Sequence, residues 1–327
     1  MVGRHLAGRL GEYGIVLAAA VVINFALPRA LPGSPLRTIG GGENAGALPA
    51  ETQARLLAEY GLDQSVWQQF VGYVGKLAVL DLGNSFVDGS PVIDAIARAL
   101  PWTVLLVGSS IVLTFLIGVT TGALAGYRRR KGKGNGLLSG ALLFDSIPSF
   151  WLGMLLIALF GVTLGLLPTF GVGAGFADPG DLALHLVLPV LTLTLTGFGQ
   201  FFLVTRYSML AVLSADHIEH ARARGIGQAR RIFRHALRPA LLPAHTVLMI
   251  EIGYLVGGAL VVETVFAYPG LGRVTFDAIR AKDFPVMQGT FLVLTLTVVV
   301  VNAVADATYA LIDPRVGRPA VTGGAPA

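Results

Sequence analysis

Apolar runs recur along this chain, and the charged residues fall almost entirely between them. A helix needs about 20 apolar residues to cross a bilayer. Residues 13–28 form a short run that Leu6 and Leu10 extend. Residues 99–127, 146–177 and 182–205 are each long enough alone. Residues 239–262 hold a single acid, Glu251, and residues 284–305 lead on to Ile312. The pattern predicts an all-α membrane protein with six transmembrane helices.

The stretches between the runs divide the chain. Residues 1–30 hold an N-terminal tail and the first helix. Residues 31–98 form a long segment on the outer side, and residues 99–312 the membrane core. Residues 313–327 are a tail, and its end, "GRPAVTGGAPA", has the composition of a disordered segment. Within 31–98, "LPGSP" is a turn cluster, "IGGGENAGALP" a flexible linker and "PAETQARLLAEYGL" a short helix stopped by Gly61. "VWQQFVGYVGKL" sets Trp67, Phe70 and Val74 near one helical face. Two readings fit that face: a helix lying at the membrane interface, or a small cap packed on itself. The N-terminus has the arginines and apolar run of a signal peptide. No clean small-residue cleavage site follows, so it reads as an uncleaved first helix.

Charge orients the helices. Only 13% of residues are charged, against about 25% in soluble domains. With the N-terminus inside, the inside segments hold sixteen of the twenty-four Lys and Arg residues. That follows the positive-inside rule, with both termini cytoplasmic. "YRRRKGKG" then reads as a cytoplasmic anchor rather than a nucleic-acid patch, and no nucleic-acid partner is expected. Cysteine is absent, which excludes disulfides and thiolate chemistry.

Polar groups and glycines within the runs narrow the function. Glu251 lies near mid-helix, where a carboxylate is expensive. It reads either as a polar point on a translocation path or as a hydrogen-bonded structural group. Glu263 lies at the outer end of the same run, where water would lower its cost, and is a second pathway candidate. Asn302 and Asp306 share a face and are expected to bond neighbouring helices. Gly118, Gly122 and Gly126 recur at four-residue spacing, as do Gly253 and Gly257. Such stripes let another helix approach closely. No phosphate-binding loop, H-E-x-x-H or G-x-S-x-G is present. "HIEH" offers His217, Glu219 and His220 as metal ligands, but on an arginine-rich exposed helix, so no metal is expected. The chain carries no visible source of energy.

Residues 217–243, "HIEHARARGIGQARRIFRHALRPALLP", hold six arginines and one glutamate between two apolar runs. On one helical wheel, Ile218, Ala221, Gly225, Ala229, Ile232, Phe233, Ala236 and Leu237 form a narrow stripe. Gly225 inside a helix costs about 1 kcal/mol relative to alanine, so it predicts a bend and a close approach. A lipid-binding helix would favour bulky apolar residues. Small ones favour docking to protein.

Glu219-His220-Ala221, three residues and then Gly225 resemble the cytoplasmic "EAA" loop of ABC-importer permeases. His220 stands where alanine is usual, and the later Ile-x-Leu-Pro is matched only by Leu237, with Pro239 displaced. The ordered set "LPGSP", "YGLDQ", "LDLGNSF", "SIPSFWLG", "HLVLPVLTLTL", "TRYSML", "ARARG", "RHALRPALLP", "VVETVFAYPGLG", "DFPVMQG" and "YALIDPRV" is similar to the dipeptide/oligopeptide/nickel branch of that family over nearly all of residues 5–316. The resemblance implies a type I importer fold in a bacterial or archaeal inner membrane, with residues 214–238 forming the coupling region. It implies a second homologous permease as partner, two ATPase subunits that hold the ATP and Mg, a solute-binding protein outside, and lipid around the chain. This chain would bind no cofactor and catalyse nothing. On that likeness Ile218, Glu219, Ala221, Gly225, Ile226, Ala229 and Phe233 couple to the ATPases, with Ala221 and Gly225 nearest them. Residues 263–272 would form an outer loop near the gate and the binding protein. The implied solute is a peptide, with a nickel chelate or another small solute as alternatives. A stand-alone secondary transporter would need ion-coupling carboxylates and often inverted repeats. An intramembrane enzyme would need paired acids or metal ligands, where only His185 and His245 stand near span ends.

Overall fold

The computed structural model describes residues 2–30, 49–59, 61–129, 135–227 and 230–312. The C-terminal tail and most of the linker after the first helix lie outside the described residues. Helix α1 spans Val2–Ala30, and two short helices follow, α2 (Ala50–Glu59) and α3 (Val66–Ala78). Ser65 starts α3 through a capping box with Gln68, which satisfies donors that a helix start leaves free. Helix α4 (Val92–Arg129) begins within the segment assigned to the outer side and runs for 38 residues. At 1.5 Å per residue that is about 57 Å, well beyond a bilayer core.

The third apolar run does not form one helix. Helix α5 (Asn135–Asp145) meets α6 (Ser149–Leu156) and its π-helical continuation Ile157–Thr163 at 99°. Pro148 sits at the start of α6, where its missing N–H and fixed φ suit a new helix. The second half of the predicted span, 164–177, is loop apart from a 3-10 turn at Gly175–Ala177. Gly165, Gly171, Gly173 and Gly175 all take positive φ there, a conformation that ends helices. These glycines count as apolar in the sequence pattern, which is why the run reads through them.

Helix α7 (Pro179–Leu213) starts at Asp178, whose side chain accepts from the Gly180 and Asp181 amides, with Pro179 in its first turn. Helix α8 is Asp216–Ala223, and a π-turn, Arg231–Ala236, leads into α9 (Leu237–Val265). Helices α10 (Leu271–Ala281) and α11 (Phe284–Ile312) close the fold. Among the described residues there is no strand beyond an isolated bridge between Asn84 and Pro91. Portions of α1, α4, α7 and α11 are long and apolar enough to cross a membrane, and the α5–α6 pair adds a broken span. Helix α9, with 29 residues, supplies the length of a sixth.

The α4 glycines face α7. A Cβ on Gly118 would lie 2.5 Å from Phe201 Cβ, and one on Gly122 the same distance from the Phe202 carbonyl oxygen. Gly126 meets Met209 and the Arg206 carbonyl in the same way. The stripe is therefore a helix contact at backbone distance. Gly253 differs: its Cβ would sit 3.8 Å from Val298, ordinary packing that alanine would also make. The surroundings of Gly257 and Asp306 lie outside the described residues, and Asn302 is exposed on α11. One core cluster joins Leu106, Leu152, Leu188, Leu193, Val262 and Phe266. Others form toward the two ends of the helices.

Candidate functional site

The basic stretch is three pieces rather than one helix. Helix α8 ends at Ala223 in a left-handed turn. Gly225 has φ 73°, and the Ile226 amide reaches back to the Ala221 carbonyl at 3.1 Å. This is the hydrogen bond of a Schellman cap, and glycine is the residue that reaches this conformation without strain. Gly225 thus stops α8 instead of bending a continuous helix. It is exposed, and no atom lies within 4 Å of where its Cβ would be.

The two faces of α8 differ. Ile218 and Ala221 are buried, and Ile218 packs with Met209 and Leu213 of α7, Ala236 of the π-turn and Ala240 of α9. They fasten α8 to its own chain and do not face outward. Glu219, His220, Ala223 and Arg224 are exposed, and the His220 ring engages the Asp216 carbonyl at 2.8 Å. Ile226 is half-buried, while Phe233 stands 69% exposed on the π-turn. Ala229 lies outside the described residues. Glu219, Gly225 and Phe233 are thus exposed members of the expected coupling set among the described residues.

Within the membrane region, Glu251 on α9 is half-buried and lies within electrostatic reach of Asp145, the last residue of α5. Asp145 rests on α7 at Gly199, where a Cβ would come within 2.4 Å of its Oδ1. No hydrogen bond or ion pair holds either carboxylate among the described residues. Sequence reasoning missed Asp145 because the span was started at Ser146. Its signal was there, since it is the lone acid in "GALLFDSIPSFWLG".

Glu263 does not meet water. It is fully buried, and its carboxylate accepts from Thr103 Oγ1 at 2.7 Å and from the Gly272 and Arg273 amides at 2.7 and 3.2 Å. Thr103 Oγ1 in turn accepts from the Leu271 amide at 2.7 Å. Glu263 thus caps the start of α10 and ties it to α4. In this conformation the carboxylate lines no open path. The following loop is also turned inward. Phe266 and Tyr268 are buried, and the Tyr268 hydroxyl donates to the Trp102 carbonyl at 3.1 Å.

The sequence signature of the family described as "Binding-protein-dependent transport system inner membrane component" matches residues 118–318. The chain belongs to this family of transport permeases. The permease is 33% identical to the di/tripeptide transport system permease protein DppB of Pseudomonas aeruginosa strain UCBPP-PA14, over 95% of this chain and 98% of that one. It is 36% identical to the glutathione transport system permease protein GsiC of Escherichia coli K12, over 90% of this chain and 92% of that one. In fold, it matches a chain of the inward-facing MetNI methionine ABC transporter with a TM-score of 0.57 and 20% identity, over 68% of the permease and 97% of that chain. Together these place the permease among the inner-membrane components of binding-protein-dependent transport systems, with the fold that the MetNI chain shares. The signature begins within α4, so the segment that carries α2 and α3 precedes the matched region.

Proposed function

We propose that the permease forms half of a translocation channel for peptides. A second homologous permease would supply the other half, and a binding protein would deliver solute from outside. Two ATPase subunits, holding ATP and Mg, would bind on the cytoplasmic side, where both termini also lie. Support for the solute comes from the relatives. One is named for di- and tripeptides and another for glutathione, itself a tripeptide.

The observation that carries the coupling reading is α8 itself. It ends on an exposed left-handed glycine, and the π-turn whose Ala236 packs with Ile218 of α8 carries an exposed phenylalanine, in a chain with no ATP-binding loop. Movement of docked ATPases would press on Glu219, Gly225 and Phe233. Ile218 on the opposite side of α8 would pass that movement to the ends of α7 and α9. Asp145 and Glu251 would face the path and meet the ammonium group of a passing peptide, because carboxylates in a span that have no partner among the described residues call for a cationic partner or a polar cavity.

Two measurements test this. The tagged permease, taken from native membranes in mild detergent, is expected to bring down an ATPase and a second permease. Recovery of a lone chain whose transport survives ATP depletion would favour a secondary transporter instead. Gly225→Asp is expected to leave insertion intact while separating uptake from ATP hydrolysis. Normal uptake in that variant would remove Gly225 from the docking surface.

A further inference from the structure

Helix α3, between α1 and α4, presents an apolar surface that the other described residues leave uncovered. Its contact with α1 is confined to about one turn. Arg29 Nη2 donates to Gln69 Oε1 at 2.8 Å, and the Phe25 ring lies 5.1 Å from Phe70 and 5.8 Å from Tyr73. A contact that short means α3 crosses the end of α1 and does not run along it. Trp67, Val71 and Val74 occupy the adjoining face at helical spacing. All three are exposed, Trp67 by 70%. Gln68, Gly72 and Lys76 form the polar side, and Lys76 is the one charge on the helix.

The end of α3 adds an independent sign. It closes in a Schellman turn, with Leu80 donating to the Leu77 carbonyl and Asp81 to the Lys76 carbonyl. The left-handed position is taken by Leu80, at φ 58°, where glycine is usual. A bulky residue there is strained, yet Leu80 is 84% exposed and Val79 beside it is exposed too. Among the described residues no contact offsets that strain. Strain of this kind points to a role outside the local fold.

The flanks of α3 fix its level. Arg29 lies in the last turn of α1 and also 5.8 Å from the ring of Phe284, the first residue of α11. Beyond α3, the Ser85 hydroxyl and the Phe86 amide both donate to Asp283, next to the start of α11. The segment is thus tied on both sides to the boundary where two spanning helices end. The exposed Val22, Ile23 and Leu27 of α1 carry its lipid-facing side up to that boundary.

We infer that α3 lies in the headgroup zone of the membrane, with Trp67, Val71, Val74, Val79 and Leu80 dipping to the acyl boundary. Trp at this level and an apolar stripe beside a polar one are what an interfacial helix requires. With a single lysine, the attachment is hydrophobic and does not select anionic lipid. The outer leaflet is named on the orientation proposed above; attachment to lipid does not depend on it.

The chain has no cysteine, so once any cysteines of the partner subunits are replaced, single cysteines in it can be spin-labelled without background. The intact transporter is placed in nanodiscs of phosphatidylethanolamine with a minority of phosphatidylglycerol, and again in phosphatidylcholine. Labels are set at Trp67→Cys, Val74→Cys and Val79→Cys, with Gly72→Cys and Lys76→Cys as references. Relaxation by oxygen should exceed that by a water-soluble nickel chelate at the first three positions, at a depth of about 5–10 Å. The chelate should dominate at the references, in both lipids alike. Chelate dominance at all five positions would overturn the inference. So would shielding of the first three from both agents, which would mean that a protein covers the face. An impermeant thiol reagent applied to intact cells carrying Lys76→Cys reports the side separately. Labelling only after lysis would break the proposed orientation and leave the depth result standing.

Discussion

At the scale of single residues, Glu263 shows how burial changes the meaning of an acid. It receives three hydrogen bonds at the start of α10, where the helix dipole favours negative charge. Glu263→Ala would leave two amides and a hydroxyl without their acceptor, at about 1–3 kcal/mol for each buried group left unpaired. Its unfolding temperature in detergent should fall well below that of wild type. Glu263→Gln keeps an acceptor and should fall less. Combining Glu263→Ala with Thr103→Val should cost less than the two separately, because the two side chains share one network. Simple additivity would dismantle the network reading. Gly225 makes the complementary point. Its glycine is required by a backbone angle, although the sequence pattern alone reads as close approach.

At the scale of elements, the two glycine stripes separate. Gly122→Ala sets a methyl against the Phe202 backbone carbonyl, which cannot turn aside as a side chain can. Overpacking of this sort costs about 1–3 kcal/mol, so the folded yield and melting temperature should drop. Gly253→Ala should leave both unchanged. Equal tolerance of the two substitutions would mean that α4 and α7 are not held at the distance seen here. Helix α8 permits a similar contrast. Ala221→Leu fills a buried position and should destabilise the permease itself. Phe233→Ala removes an exposed ring and should leave melting intact while lowering recovery of the ATPase. Loss of stability in Phe233→Ala would place that ring in the fold, not on the docking surface.

At the scale of the whole molecule, most of the architecture was legible in the sequence. A bilayer cannot satisfy backbone polar groups, so a crossing must be a helix or part of a closed barrel, and uninterrupted apolar runs of about 20 residues mark the helical solution. The apolar runs of α1, α4, α7, α9 and α11 and the family signature could therefore be read directly from residue order. Tertiary structure decided what depends on neighbours distant in the chain. It broke the third run at Pro148 and unwound its second half through glycines in left-handed turns. It split the basic stretch into α8, a connector and a π-turn, and turned Ile218 inward against α7 and α9. It also set Asp145 against Gly199 of α7 and sealed Glu263 against Thr103. Periodicity tells which face of a helix is apolar. Whether that face meets lipid, a partner or its own chain is set by contacts between segments far apart in sequence, and those exist only once the chain has folded.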